Sequence, residues 1–141
     1  EISRGDWSSD VCSSDLNVER TQEFYLALGI KQNGMPTNDL VSFLFGEDEF
    51  VIHFFEKEKL KTSLEGEVAD LDQGNEIMFT LSAESKQEIH DWLDTVKKLG
   101  GSIRYDPRKD SKKFYDENGF YVGVFADLDG HLFNLFCNLN G

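Results

Sequence analysis

The chain has 141 residues, a formal net charge of −13 and a composition that is 39% hydrophobic and 13% aromatic. That length suits one globular domain with a sizeable core. The acidic surplus repels nucleic-acid phosphates and anionic membrane surfaces, and no apolar run approaches the roughly 20 residues of a membrane span. Two cysteines, Cys12 and Cys137, stand near opposite ends. They do not make a disulfide framework, so a reducing cytoplasm is the expected compartment, and Cys137 reads as a small buried hydrophobe.

Residues 1–16 differ from the rest. A pentapeptide is nearly repeated, WSSDV at 7–11 and CSSDL at 12–16. It has neither a two-residue nor a 3.6-residue apolar period, and no basic or apolar segment of a signal peptide. It resembles translated sequencing-adapter read-through. The expectation is a non-native segment outside the fold, with the native first strand missing or replaced; a native disordered tail is the alternative.

Asn17 is an N-cap for a helix over 18–28, whose Thr21, Phe24, Tyr25 and Leu28 share a face. Gly29 stops it. A weak strand is expected over 30–35, a turn over 36–39 and a hairpin over 40–55. Residues 56–74 form a long charged connection with a short helical turn near 60–64. A strand follows over 75–82, with Ile77, Phe79 and Leu81 on one side and Glu76, Met78 and Thr80 on the other. Ser85 and Glu88 make a capping box for a helix over 86–99, striped by Ile89, Trp92, Leu93, Val96 and Leu99. A strand is expected over 102–105.

The second long connection, 104–118, holds Arg104, Arg108, Lys109, Lys112 and Lys113, five of the chain's fourteen Lys and Arg residues. It reads as a solvated loop or as a lid drawing an anionic ligand. A final hairpin spans 120–137 and turns through Asp127, Leu128, Asp129 and Gly130, an acidic turn with a glycine free to take positive φ. Asp127 and Asp129 read as turn residues, because four positions fall far short of a calcium loop. His90 and His131 are expected at the surface or rim.

The chain repeats itself. VSFLFGEDEFVIHFF at 41–55 sets under 122–136 without a gap, and the polar residue of each second strand falls in register, His53 over Asn134. A helix ending in Leu-Gly precedes each hairpin, at 28–29 and 99–100. The pattern implies an internal duplication of one helix–strand–hairpin unit. No nucleophile elbow, phosphate loop, HExxH or CxxC occurs.

Over 17–139 this arrangement resembles the vicinal oxygen chelate superfamily: glyoxalase I, bleomycin-resistance proteins and extradiol dioxygenases. The pieces that carry the likeness are ERTQEFY at 19–25 running into Leu28-Gly29, and FADLDGH at 125–131; LSAES at 81–85, leading into the second helix, is similar to the short bacterial glyoxalase-related subgroup. The resemblance implies an α+β fold of two βαβββ modules, 17–56 and 75–139, in one domain over 17–141. It also implies a concave sheet face holding a metal.

Carried over by position, the ligand places are a lost first-strand residue, His53, Met78 and Asn134. A thioether and a neutral amide are poor donors for a hard divalent ion, and a catalytic metal usually needs about three protein ligands. No cofactor is therefore expected; the alternative is a divalent ion such as zinc, nickel, manganese or iron held by His53 and groups not visible in the sequence.

Strand alternation lines the cleft with Val51, His53, Phe55, Glu76, Met78, Thr80, Leu132, Asn134 and Phe136. It turns Ile52, Phe54, Ile77, Phe79, Leu81, Phe133 and Leu135 under the helices. His53, Asn134, Met78, Phe55, Thr80, Glu76 and Phe136 are the ligand-binding candidates. Three roles stay open for His53: metal ligand, general base, or pocket wall. Asn134 would orient a ligand carbonyl or bond to His53.

The expected function is binding of a small apolar or aromatic molecule without a catalytic metal. The alternatives are a lyase or dioxygenase of the glyoxalase I or extradiol type, and a truncated, inactive reading frame. The expected partner is a small molecule, with neither nucleic acid nor membrane, and the resemblance leaves a homodimer open.

Overall fold

A computed structural model describes residues 10–46, 49–75, 77–110 and 119–139. The chain divides into two compact units, Glu1–Val68 and Ala69–Gly141.

In the first unit the elements run β1 (Asp10–Asp15), α1 (Val18–Ala27), β2 (Lys31–Gln32), β3 (Leu40–Phe45), β4 (Phe50–Glu56) and α2 (Lys57–Leu64). The sheet order is β1-β4-β3-β2, with β1 parallel to β4 and the other pairs antiparallel. Asn17 caps α1 as its spacing predicts, its side-chain oxygen accepting the Arg20 N–H at 3.0 Å. The apolar face of α1 drops Tyr25 onto the sheet, where its ring lies 5.0 Å from Phe54, 5.3 Å from Phe43 and 5.6 Å from Phe45. Such aromatic pairs add to the area term that drives burial. β4 runs straight into α2, whose first turn is capped by the Glu56 carboxylate accepting from Glu58 N and Lys59 N; α2 buries Leu60.

The second unit repeats the plan: β5 (Met78–Ser82), α3 (Lys86–Lys98), β6 (Ser102–Tyr105), a 3₁₀ turn (Pro107–Lys109), β7 (Phe120–Ala126) and β8 (Leu132–Asn138). Its order, β5-β8-β7-β6, is that of the first sheet, again with the outer strand parallel and the others antiparallel. Ser85 accepts from Glu88 N at 3.1 Å, while the Glu88 carboxylate reaches back to the N–H of Glu84 rather than of Ser85. Ile89, Leu93 and Val96 of α3 are fully buried. The helix sits so close to β7 that a Cβ on Gly123 would stand 3.0 Å from side-chain carbons of both Ile89 and Leu93.

The α+β duplication read from the sequence is thus the observed fold, with four local corrections. Residues 10–15, read as outside the fold, form β1: the open edge of β4 supplies hydrogen bonds that the peptide's own pattern does not advertise. The strand over 30–35 shrinks to Lys31–Gln32, and Met35 is 90% exposed, since no strand among the described residues pairs with it. The helical turn near 60–64 is a full two-turn helix. β5 begins at Met78 and not at 75, which leaves Ile77 59% exposed instead of under α3. The alternation otherwise holds: Ile52, Phe54, Leu81, Phe133 and Leu135 are buried, and Phe79 is half-buried. Of the second connection, 111–118, with Lys112 and Lys113, lies outside the described residues. So does Glu76.

Candidate functional site

His53 lies mid-strand in β4, on the face turned away from α1. The neighbours of His53, Ile52 and Phe54, take the α1 side, so alternation sends the imidazole to the other. In the sheet its register partners are Cys12 on β1 and Ser42 on β3. The Ser42 hydroxyl and His53 Nδ1 share a hydrogen bond at 2.5 Å, which fixes the ring and leaves Nε2 as its other polar atom. Phe55 follows on the same face, its ring 6.3 Å from the imidazole. The row therefore offers a half-buried imidazole beside an aromatic wall. Cys12, in register beside His53 on β1, is exposed; the β1 place equivalent to Met78 is Asp10.

Asn134 occupies the matching place in β8, away from α3, between the buried Phe133 and Leu135. Its Nδ2 donates to Thr80 Oγ1 of β5 at 3.4 Å, a long contact that a better acceptor would replace. Met78 and Thr80 are exposed along β5. Phe136 stacks on Phe120, with ring centroids 5.8 Å apart. Each unit thus presents one polar group set in an apolar strand face, as the in-register pair His53 and Asn134 predicts.

Two clusters depart from the sequence reading. His131, expected at the rim, is only 5% exposed, and its Nδ1 donates to Asp127 Oδ2 at 2.7 Å. The other oxygen of Asp127 accepts from the N–H groups of Asp129 and His131 at 3.0 and 2.9 Å. Asp127, Asp129 and His131 bring ligand-type atoms within 4.8 Å of one another, but both Asp127 oxygens already fasten the β7–β8 turn. The turn role read for Asp127 holds. The signal for the buried pair was the four-residue spacing of Asp and His across a tight turn. His90 is half-buried, its Nε2 2.9 Å from the Tyr121 hydroxyl.

The basic connection does not present Arg108 as a free cation. Its guanidinium takes Asp94 through both terminal nitrogens, at 2.9 and 3.1 Å, and Asp106 through Nε and Nη2 at 3.0 Å. Arg108 hydrogen bonding holds both carboxyls below the usual carboxylate range, and those carboxylates raise Arg108. A groove lies along this clamp, between the C-terminal half of α3 and the 3₁₀ turn, with Leu93 and Ile103 below and Lys97 and Lys109 at its rim.

Searches with the sequence against protein families and curated proteins return no match. The structure is similar to solved ones. The hypothetical protein SA1046 of S. aureus superposes at a TM-score of 0.75 with 25% identity, over 97% of this chain and 95% of that one. A glyoxalase-related enzyme from Fulvimarina pelagi gives 0.76 at 15% identity, over 94% and 88%. A lactoylglutathione lyase from Agrobacterium tumefaciens gives 0.60 at 16%, over 96% of each chain. The fold of this chain is that of the vicinal oxygen chelate superfamily, the glyoxalase, bleomycin-resistance and dioxygenase proteins.

That fold implies a metal, and the donors here fit one poorly. The carried-over positions supply an imidazole, a thioether and an amide, with a thiol in register beside the imidazole. The remaining place, equivalent to Met78, is Asp10 on β1; hard divalent ions choose carboxylate and imidazole donors, and a thioether and an amide stand at two of the four places. Among the described residues, no helix is long and apolar enough to cross a membrane.

Proposed function

We propose that the protein binds a small apolar or aromatic molecule without a catalytic metal, at the sheet face of each unit that is turned away from its helix, α1 in the first and α3 in the second. The observation that carries this reading is the matched placement of His53 and Asn134. Each is a half-buried polar group inside a run of apolar and aromatic side chains, and each is oriented by a neighbouring hydroxyl. Binding faces of this kind take affinity from apolar contact and orientation from one or two polar groups. Phe55 and Phe136 supply aromatic surface; Met78 and Thr80 supply an adaptable thioether and a hydroxyl. The Asn134–Thr80 contact is weak enough to yield to a ligand carbonyl. Glu76, another candidate, lies outside the described residues.

Calorimetric titration with zinc, nickel, manganese and iron(II), followed by a thermal-shift screen of small aromatic compounds, tests the reading. We expect no metal to bind at micromolar concentration, and a screened compound to raise the melting temperature as its concentration passes its Kd. His53→Ala should weaken binding at the face of the first unit, and Asn134→Ala binding at the face of the second, at least five-fold. Micromolar metal binding abolished by His53→Ala would instead overturn the metal-free reading.

A further inference from the structure

β1 and β5 occupy equivalent places, each the outer, parallel neighbour of its sheet's second-hairpin strand. The duplication therefore says what each slot is shaped to hold. In β5 the residues sharing a face with the buried Phe133 and Leu135 are Phe79 and Leu81; Ala83, whose N–H donates to Phe136 O at 2.7 Å, continues the row. Setting His53 on Asn134 places Val11 with Phe79, Ser13 with Leu81 and Asp15 with Ala83. The second unit fills its slot with two large apolar side chains and one small one. The first fills the same slot with a valine, a hydroxyl and a carboxylate.

The mismatch is sharpest at Asp15. It is 1% exposed, and its Oδ1 accepts the Asn17 N–H at 2.8 Å, but its Oδ2 is buried with no hydrogen-bond partner among the described residues. A buried carboxylate oxygen left without a donor is costly. Six register pairs with β4 hold β1 in place through its backbone, and they would hold any extended chain of the same polarity.

We infer that the edge of β4 is a strand-acceptor surface, whose fitted partner is an extended, uncharged peptide running parallel to β4 with apolar side chains at alternate positions. Asp10–Asp15 is an exchangeable occupant of that surface. Its hold is the high effective concentration of a tethered segment, not complementarity, so a better-matched strand competes from solution.

The test uses the full chain and a fluorescein-labelled peptide of sequence MFTLSA, the residues of 78–83, with blocked termini. The comparison peptide is DVSSSD, the residues of 10–15 with serine for Cys12. Binding is read by anisotropy, and displacement by hydrogen exchange of the β1 amides. We expect MFTLSA to bind saturably and at least ten-fold more tightly than DVSSSD, with exchange at residues 11–15 accelerating at saturation. The double variant Ser13→Leu/Asp15→Ala should melt several degrees higher and bind the peptide at least ten-fold more weakly, because its own strand fits. Equal affinity of the two peptides would overturn the inference. So would binding that leaves β1 exchange unchanged, exchange that accelerates at β5 instead, or a double variant with the melting temperature of the parent.

Discussion

At the scale of single residues, the buried pair Asp127–His131 is the clearest instance of chemistry decided by surroundings. An acidic turn on a surface hairpin is ordinary; a carboxylate that accepts three hydrogen bonds while almost fully buried is a fastener. Removing the imidazole leaves Asp127 Oδ2 without the Nδ1–H donor. His131→Leu should destabilise the protein by about 1–3 kcal/mol, measured as a drop in the urea midpoint at unchanged slope. Gly123 makes the opposite case, where absence of a side chain matters. Ile89 and Leu93 stand 3.0 Å from where its Cβ would be. Gly123→Val should cost about 1–3 kcal/mol by overpacking, read from the same denaturation curve. Sequence alone placed Gly123 only as a member of a strand. The packed helix above it explains why no larger residue fits, and nothing in the local pattern announces that helix's distance.

At the scale of elements, the caps and hairpins were legible because their signals are local. Asn17 and Ser85 cap the helices they were expected to cap, and Ser102–Tyr105 falls where its pattern put it. β1 was not legible, because its cause lies in another strand: the polar peptide of 10–15 pairs because β4 has an edge to offer. Ile77 failed for the converse reason. It has a strand's alternation but lies one residue before the pairing with β8 begins at Met78. Arg108 was legible as a charge and not as a clamp, since its partner Asp94 sits fourteen residues earlier on α3. That clamp carries a pH dependence. Asp94 and Asp106 are depressed, so they favour the folded state at pH values above the ordinary carboxylate range. The contribution is lost as pH falls through their lowered values. The 3₁₀ turn at Pro107–Lys109 should therefore loosen on acidification below about pH 4, seen as faster amide exchange at Arg108 and Lys109 (corrected for the intrinsic pH dependence). Arg108→Gln should exchange at that faster rate at neutral pH and lose most of the acid response.

At the scale of the whole molecule, the net charge of −13 is a property no single contact removes. Mutual repulsion of like charges opposes the compact state and is screened by salt. Raising sodium chloride from about 10 mM, where the Debye length is near 30 Å, to about 150 mM, where it is near 8 Å, should raise the melting temperature. The duplication is the other whole-molecule property, and it was visible in sequence because residue class repeats without a gap over 41–55 and 122–136. It puts an imidazole and an amide at equivalent places in two sheets of one topology, and the functional reading rests on those two groups meeting a ligand. The direct measurement is a titration with an aromatic compound from the thermal-shift screen, followed by NMR at the Asn134 side-chain amide and the His53 ring. Each signal should move along a saturation curve, while the amides of α1 and α3 stay in place. Signals at His53 and Asn134 that hold still at saturation, or that move only when a divalent metal is added, would contradict the account.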